Sequence, residues 1–161
     1  MEEQRLKFTI ERFDHYYASI NNKVSALLVL VTFIIGGLIA LTPTVSQLPE
    51  CTIVMGIQLC VLIAIGLTAM ILLIIALRPR LGASGSSLLF FMDISRLTRM
   101  QFADSSGKQT HDEHIEDLRE QVYCLSKGLA SKFRLLRLAS TIVWLQFTLM
   151  IPFIILVVIH I

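Results

Sequence analysis

Three stretches of the chain, Val24–Thr42, Ile53–Leu77 and Ala139–Ile159, are apolar on every helical face and contain no Asp, Glu, Lys or Arg. Each is long enough, at 1.5 Å of rise per residue, to cross about 30 Å of hydrocarbon, which takes roughly 20 residues. A helix apolar all round cannot solve its burial problem in water within so small a protein. The pattern therefore predicts three transmembrane helices, TM1 at 24–42, TM2 at 53–77 and TM3 at 139–159, with a hairpin at 43–52.

The other segments are amphipathic. In residues 1–23, Leu6, Ile10, Phe13, Tyr17 and Ile20 recur at steps of three and four, opposite Arg5, Glu11, Arg12, Asp14 and His15, so a helix leads directly into TM1. Its mixed charge favours packing on other helices over lying at a lipid surface. In the 78–138 region, Pro79 and the small residues Gly82–Ser87 predict a joint. A short helix is expected over Leu88–Phe102 and a second joint over Ala103–Lys108. Thr110 and Glu113 have the spacing of a capping box. They open a stripe of Ile115, Leu118, Val122, Leu125, Leu129, Phe133 and Leu136, narrow enough for a helix–helix seam. Nothing breaks this pattern before TM3, although Gly128 weakens it by roughly 1 kcal/mol. One helix from about residue 111 to 159, some 70 Å long, follows, and such a rod either couples a cytoplasmic event to the membrane or simply holds subunits together.

Charge sets the orientation. All 14 Lys and Arg residues fall in 1–23 or 78–138, and none lies in the 43–52 hairpin. Basic residues near span ends stay on the cytoplasmic side, which predicts a cytoplasmic N-terminus, a cytoplasmic 78–138 region and a C-terminus outside. The polar residues before the first apolar run, and the second run soon after it, argue against a cleaved signal peptide. A net charge of +2 is too small to argue for nucleic acid. The 55% hydrophobic content is, with the spans, a membrane signature.

Candidate chemistry is sparse. Cys51, Cys60 and Cys124 are separated by the predicted topology and form no disulfide framework. His111 and His114 beside Asp112 and Glu113 read as a solvated helix start, so no metal and no cofactor is expected. There is no phosphate loop or nucleophile motif, no catalytic residue is proposed, and an enzyme is not expected. Gly56, Cys60, Ala64 and Thr68 form one column of small side chains, and Thr32, Gly36 and Ala40 another; in lipid such columns allow close packing on protein, within or between subunits. Gln58 and Gln146 need partners at their depth. Three spans are too few to enclose an aqueous path, so a pore requires several copies. Ser140, Thr141, Gln146 and Thr148 are the candidate pore or inter-subunit lining; the alternative is that both glutamines bond across helices inside one subunit. Pro152 is a candidate kink.

Glu11-Arg-Phe-Asp-His-Tyr-Tyr-Ala-Ser-Ile-Asn-Asn-Lys23 before TM1, Phe90-Phe-Met-Asp-Ile94 after TM2, and Gln121–Leu125 with Lys132 before TM3 together resemble the small transmembrane effectors of bacterial anti-phage signalling. The likeness is to the Pycsar-type transmembrane effector family and to related effectors that accompany nucleotidyltransferases, including the Hailong type. It implies an all-α, homo-oligomeric inner-membrane effector that permeabilises the membrane on infection. It also implies control by an anionic nucleotide or oligonucleotide made by a partner nucleotidyltransferase or cyclase. For such a ligand the candidates are Arg96, Arg99, Lys127, Lys132, Arg134 and Arg137, ringed around an oligomer axis, with Tyr16, Tyr17 and Tyr123 as stacking surfaces. The rival readings are a non-conducting scaffold that recruits a partner through the 115–136 seam, and a small toxin that disrupts the bilayer in bulk.

Overall fold

The computed structural model describes residues 1–47, 52–78 and 87–160; Cys51, the rest of 48–51 and the joint at 79–86 lie outside the described residues. Helices α1 (Glu2–Ala40), α2 (Thr42–Ser46), α3 (Thr52–Leu77), α4 (Phe91–Ile94), α5 (Arg99–Lys108) and α6 (His111–His160) follow in order, with no strand among the described residues. Three of these helices are long and apolar enough to cross a membrane. The amphipathic start and the first apolar run form one helix, because nothing between Glu2 and Ala40 breaks it; α2 then starts with Pro43 in its first turn, where a missing N–H costs nothing.

The capping box that opens α6 is formed. Glu113 Oε2 accepts from Thr110 N at 2.7 Å and Thr110 Oγ1 accepts from Glu113 N at 3.3 Å, and α6 then runs through Pro152 to His160. The 88–108 stretch differs from expectation. Helix α4 ends at Ile94, and Thr98 and Gln101 make a second capping box that starts α5, so the expected single helix over Leu88–Phe102 is split. The expected joint at Ala103–Lys108 is helical, closed by a Lys108–Asp104 pair at 2.8 Å.

The chain divides into two units. A charged unit comprises Met1–Ser19 and Pro79–Lys132; an apolar unit comprises Ile20–Arg78 and Phe133–Ile161. In the charged unit, α1 lies along α6. Arg119 donates to Glu2 Oε1 from Nη2 at 2.8 Å and from Nε at 3.0 Å, and His114 lies 3.6 Å from Glu3. Tyr17 Oη donates to Leu125 O at 3.0 Å. A Cβ at Gly128 would collide with the Tyr17 hydroxyl, so this glycine opens the α6 backbone to Tyr17. Ile115 and Leu118 are buried. The stripe read from sequence departs from the structure at one step: Phe133 is 55% exposed and Lys132 is 4% exposed, so the seam passes through the lysine.

With that correction the α6 seam alternates strictly by three and four from Ile115 through Lys132 to Leu136, Ala139, Val143 and Gln146, and on to Phe153 and Val157. In the apolar unit, α3 repeats the spacing with Met55, Leu59, Leu62, Gly66, Ala69, Leu73 and Ala76. This is the period of left-handed helix packing. At the hairpin end Leu38, Val45, Met55, Leu59, Leu62, Phe153 and Val157 form one core cluster.

The small-residue columns do not make these contacts. Cys60, Ala64 and Thr68 on α3, and Thr32, Gly36 and Ala40 on α1, are exposed on the protomer. A Cβ at Gly36 or Gly56 would meet nothing within 4 Å. The close approach is at Gly66, outside both columns, where a Cβ would lie 2.7 Å from Gln146 Nε2 and 2.8 Å from Ile35 Cγ1. Because Ile35 is β-branched, its Cγ1 has little freedom to move away. Gly66→Ala is therefore expected to destabilise the apolar unit by about 1–3 kcal/mol, read as a lower thermal midpoint in detergent, whereas Gly36→Ala leaves the midpoint unchanged or raises it.

Candidate functional site

Two glutamines tie α3 to α6 reciprocally. Gln146 Nε2, on α6, donates to Leu62 O of α3 at 3.2 Å; Gln58 Nε2, on α3, donates to Leu149 O of α6 at 3.4 Å. The carbonyl of Leu62 lies one turn from Gly66, whose missing side chain admits the amide. Gln146 is fully buried, and no donor among the described residues reaches its Oε1. In a single protomer Gln146 thus bonds across helices, the alternative to pore lining. Thr141 and Thr148 are exposed and donate to Arg137 O and Trp144 O of their own helix at 3.0 Å; Ser140 is partly buried.

The charged unit holds a cavity of about 700 Å³ built around the start of α4. Ser87 Oγ accepts from the backbone N–H of Leu89 and of Phe90, both at 3.1 Å. Asp93 Oδ2 accepts from Ser87 N at 3.2 Å, and Asp117 Oδ2, from α6, accepts from Leu88 N at 3.0 Å. Asp93 is buried, so the acid of the Phe90–Ile94 phrase secures the turn that precedes it. Asp93, Asp104, Glu113, Glu116, Asp117 and Glu120 line the cavity, against only Arg96 and Lys108 on the basic side. Its charge disfavours phosphate.

The six basic candidates occupy several places. Arg96 sits in the turn after α4, 3.9 Å from Asp93, and is the one candidate of the six in the cavity lining. Arg99 opens α5, exposed. Lys127 is exposed, with Nζ 5.3 Å from the centre of the Tyr123 ring. Lys132 is buried with Nζ 5.9 Å from the Tyr17 ring, which removes it from the solvent surface. Arg134 and Arg137 are exposed on α6. Tyr16 and Tyr123 are also exposed, whereas Tyr17 is half-buried. Another exposed arginine, Arg12, lies 5.9 Å from the centres of both Phe8 and Tyr16. Among the described residues, no group of His, Cys, Asp or Glu could hold a metal ion.

Sequence reasoning missed the roles of Asp93, Asp117, Tyr17 and Gly66. Only the strict three–four alternation, which selects Lys132 and Gln146 over their apolar neighbours, signals any of this.

The fold and these contacts define an all-helical membrane protein with three candidate spans and a charged helical unit. Residues 5–160 match the model of the Pycsar effector protein domain, and the chain belongs to that family. The match fits an antiviral membrane effector. No curated protein and no solved structure gives a significant match.

Hydrogen bonds, some of them within ion pairs, hold several carboxyls of the charged unit below their ordinary value. Glu2 is lowered chiefly by the Arg119 hydrogen bond, Glu3 by that of Lys7, and Glu113 by the Thr110 backbone N–H. Arg119 is raised, first by Glu116 and then by Glu2. A lowered carboxyl contributes stability above its unfolded value, and that contribution is lost as pH falls through its folded value. The contact between the start of α1 and α6 is therefore expected to hold at neutral pH and loosen as pH drops below 4.5. Spin labels at Gln4 and Glu120 should report a distance that lengthens only in that acid range.

Proposed function

We propose that this protein is an antiviral effector that assembles several copies into a nucleotide-regulated ion channel, which permeabilises the bacterial inner membrane during phage infection. Membership of the Pycsar effector family is the observation that carries the reading; the family implies a cyclic nucleotide signal from a partner cyclase. The protomer supports the requirement for several copies. Phe153, Met55, Leu62, Leu73 and Gln146 fill the interior of the apolar unit, so an ion path has to run between copies. The exposed columns at Thr32, Gly36 and Ala40 and at Cys60, Ala64 and Thr68 suit close helix contact with a neighbouring copy. Only 22%, 33% and 22% of the residues in the three apolar windows are buried inside one chain, which leaves ample surface for lipid and neighbours.

Orientation follows the basic residues, with the N-terminus and the charged unit cytoplasmic and the C-terminus periplasmic. The ligand is drawn to the exposed cations Arg99, Lys127, Arg134 and Arg137, joined by Arg96; Lys132, being buried, acts through Tyr17 and the seam. Since α6 is unbroken from His111 to His160, a ligand that rotates its first half turns the membrane segment as well. Against a scaffold that recruits a partner through the 115–136 seam, Tyr17 of α1 already bonds the Leu125 carbonyl there.

Purified protein in dye-loaded liposomes provides the test. Leakage is expected with at least one of the four common 3′,5′-cyclic mononucleotides and not without them. Combined Arg99→Glu and Lys127→Glu substitutions should shift the half-maximal nucleotide concentration upward about tenfold or more, a tenfold shift corresponding to about 1.4 kcal/mol. Absence of leakage with all four nucleotides contradicts the channel reading.

A further inference from the structure

The Gln146 amide is only half satisfied. Its nitrogen reaches Leu62 O, but its oxygen is enclosed with no donor among the described residues. Burying an unpaired amide oxygen is costly anywhere, and at membrane depth the surroundings offer no solvent compensation. Helix association in lipid has no such penalty to absorb at an apolar seam position, and Leu or Val occupies equivalent positions nearby at Leu136, Val143 and Val157. Rotating the amide end for end does not help, since it would set Oε1 against the Leu62 carbonyl, two acceptors facing each other. The amide nitrogen sits in the space left by the absent side chain of Gly66, where an added atom would lie 2.7 Å from Nε2.

We infer that Gln146 is a built-in destabilising element of the α3–α6 seam, which biases the apolar unit toward a second arrangement in which α6 turns the amide out of the seam and both of its ends are bonded. The inference rests on the channel reading for its consequence, since the second arrangement would be the conducting one, but its energetic premise is independent of conduction. Gln58 is the natural comparison. Its amide also bridges the two helices, but it is only partly buried and no atom of it is both enclosed and unpartnered among the described residues.

Full-length protein carrying Gln146→Leu, Gln146→Met or Gln58→Leu separates the possibilities. Removing an orphaned acceptor should raise the thermal midpoint in detergent by about 2–4 °C for both Gln146 variants, while Gln58→Leu leaves it unchanged or lower. In liposomes the Gln146 variants should lose nucleotide-induced dye leakage at least tenfold. A midpoint that falls in both Gln146 variants overturns the inference, because the amide is then a net stabiliser. A midpoint that rises equally in Gln58→Leu also overturns it, by pointing to a general gain in apolarity. Wild-type leakage matched by the Gln146 variants overturns the triggering role. If the wild-type protein leaks with none of the four cyclic mononucleotides, the channel reading fails, and a raised midpoint confined to the Gln146 variants still supports the destabilised seam.

Discussion

In hydrocarbon, a polar side chain must find its partners within the protein, and helices gain nothing from being apolar toward one another. That constraint accounts for the apolar unit. Gly66 removes a side chain from α3 where Gln146 arrives from α6, and the bare backbone exposes the Leu62 carbonyl to the amide. Gln58 and Leu149 make the return contact about one turn away. Apolar residues alone would tolerate slippage by a heptad; a buried amide matched to a glycine-opened carbonyl does not, so the pair sets the register of the two spans at a cost in stability, since Oε1 has no donor among the described residues.

The charged unit repeats the device. Tyr17 reaches the Leu125 carbonyl over Gly128, as Gln146 reaches Leu62 beside Gly66. Both contacts use a glycine to admit a polar side chain from a neighbouring helix, and both fall on the three–four seam. Lys132 lies on the same seam beside the Tyr17 ring. The carboxylates Asp93 and Asp117 serve the turn at Ser87 and Leu88. Asp93 and Asp117 are therefore structural acids, and of the proposed ligand cations only Arg96 shares the acidic cavity; the others lie outside its lining.

The spans, the helix starting at Thr110 and the continuity of α6 were legible because length, charge exclusion and capping are local properties of the chain. The amphipathic start was legible in its phase: Leu6, Ile10, Phe13 and Tyr17 are all at least half-buried. The seam was misread at Phe133 because burial of a lysine runs against composition, although the alternating step called for position 132. The small-residue columns face outward in the structure; sequence spacing alone does not say whether such a column makes its contact within one chain or beyond it. Thr98 and Gln101 carry the capping box that opens α5, a local signal that the apolar pattern of Leu88–Phe102 obscured. The pairing of Gly66 with Gln146 was not legible, since it depends on the register of two helices distant in sequence.

Assembly and signal meet at one claim: copies of this chain line a path for ions that opens when a nucleotide engages the cytoplasmic helices. Current recorded across a planar bilayer containing the purified protein addresses it most directly. Discrete, repeatable steps that begin when a cyclic nucleotide is added on the charged-unit side are predicted. A silent bilayer, or a rising leak with no unitary steps, would contradict it.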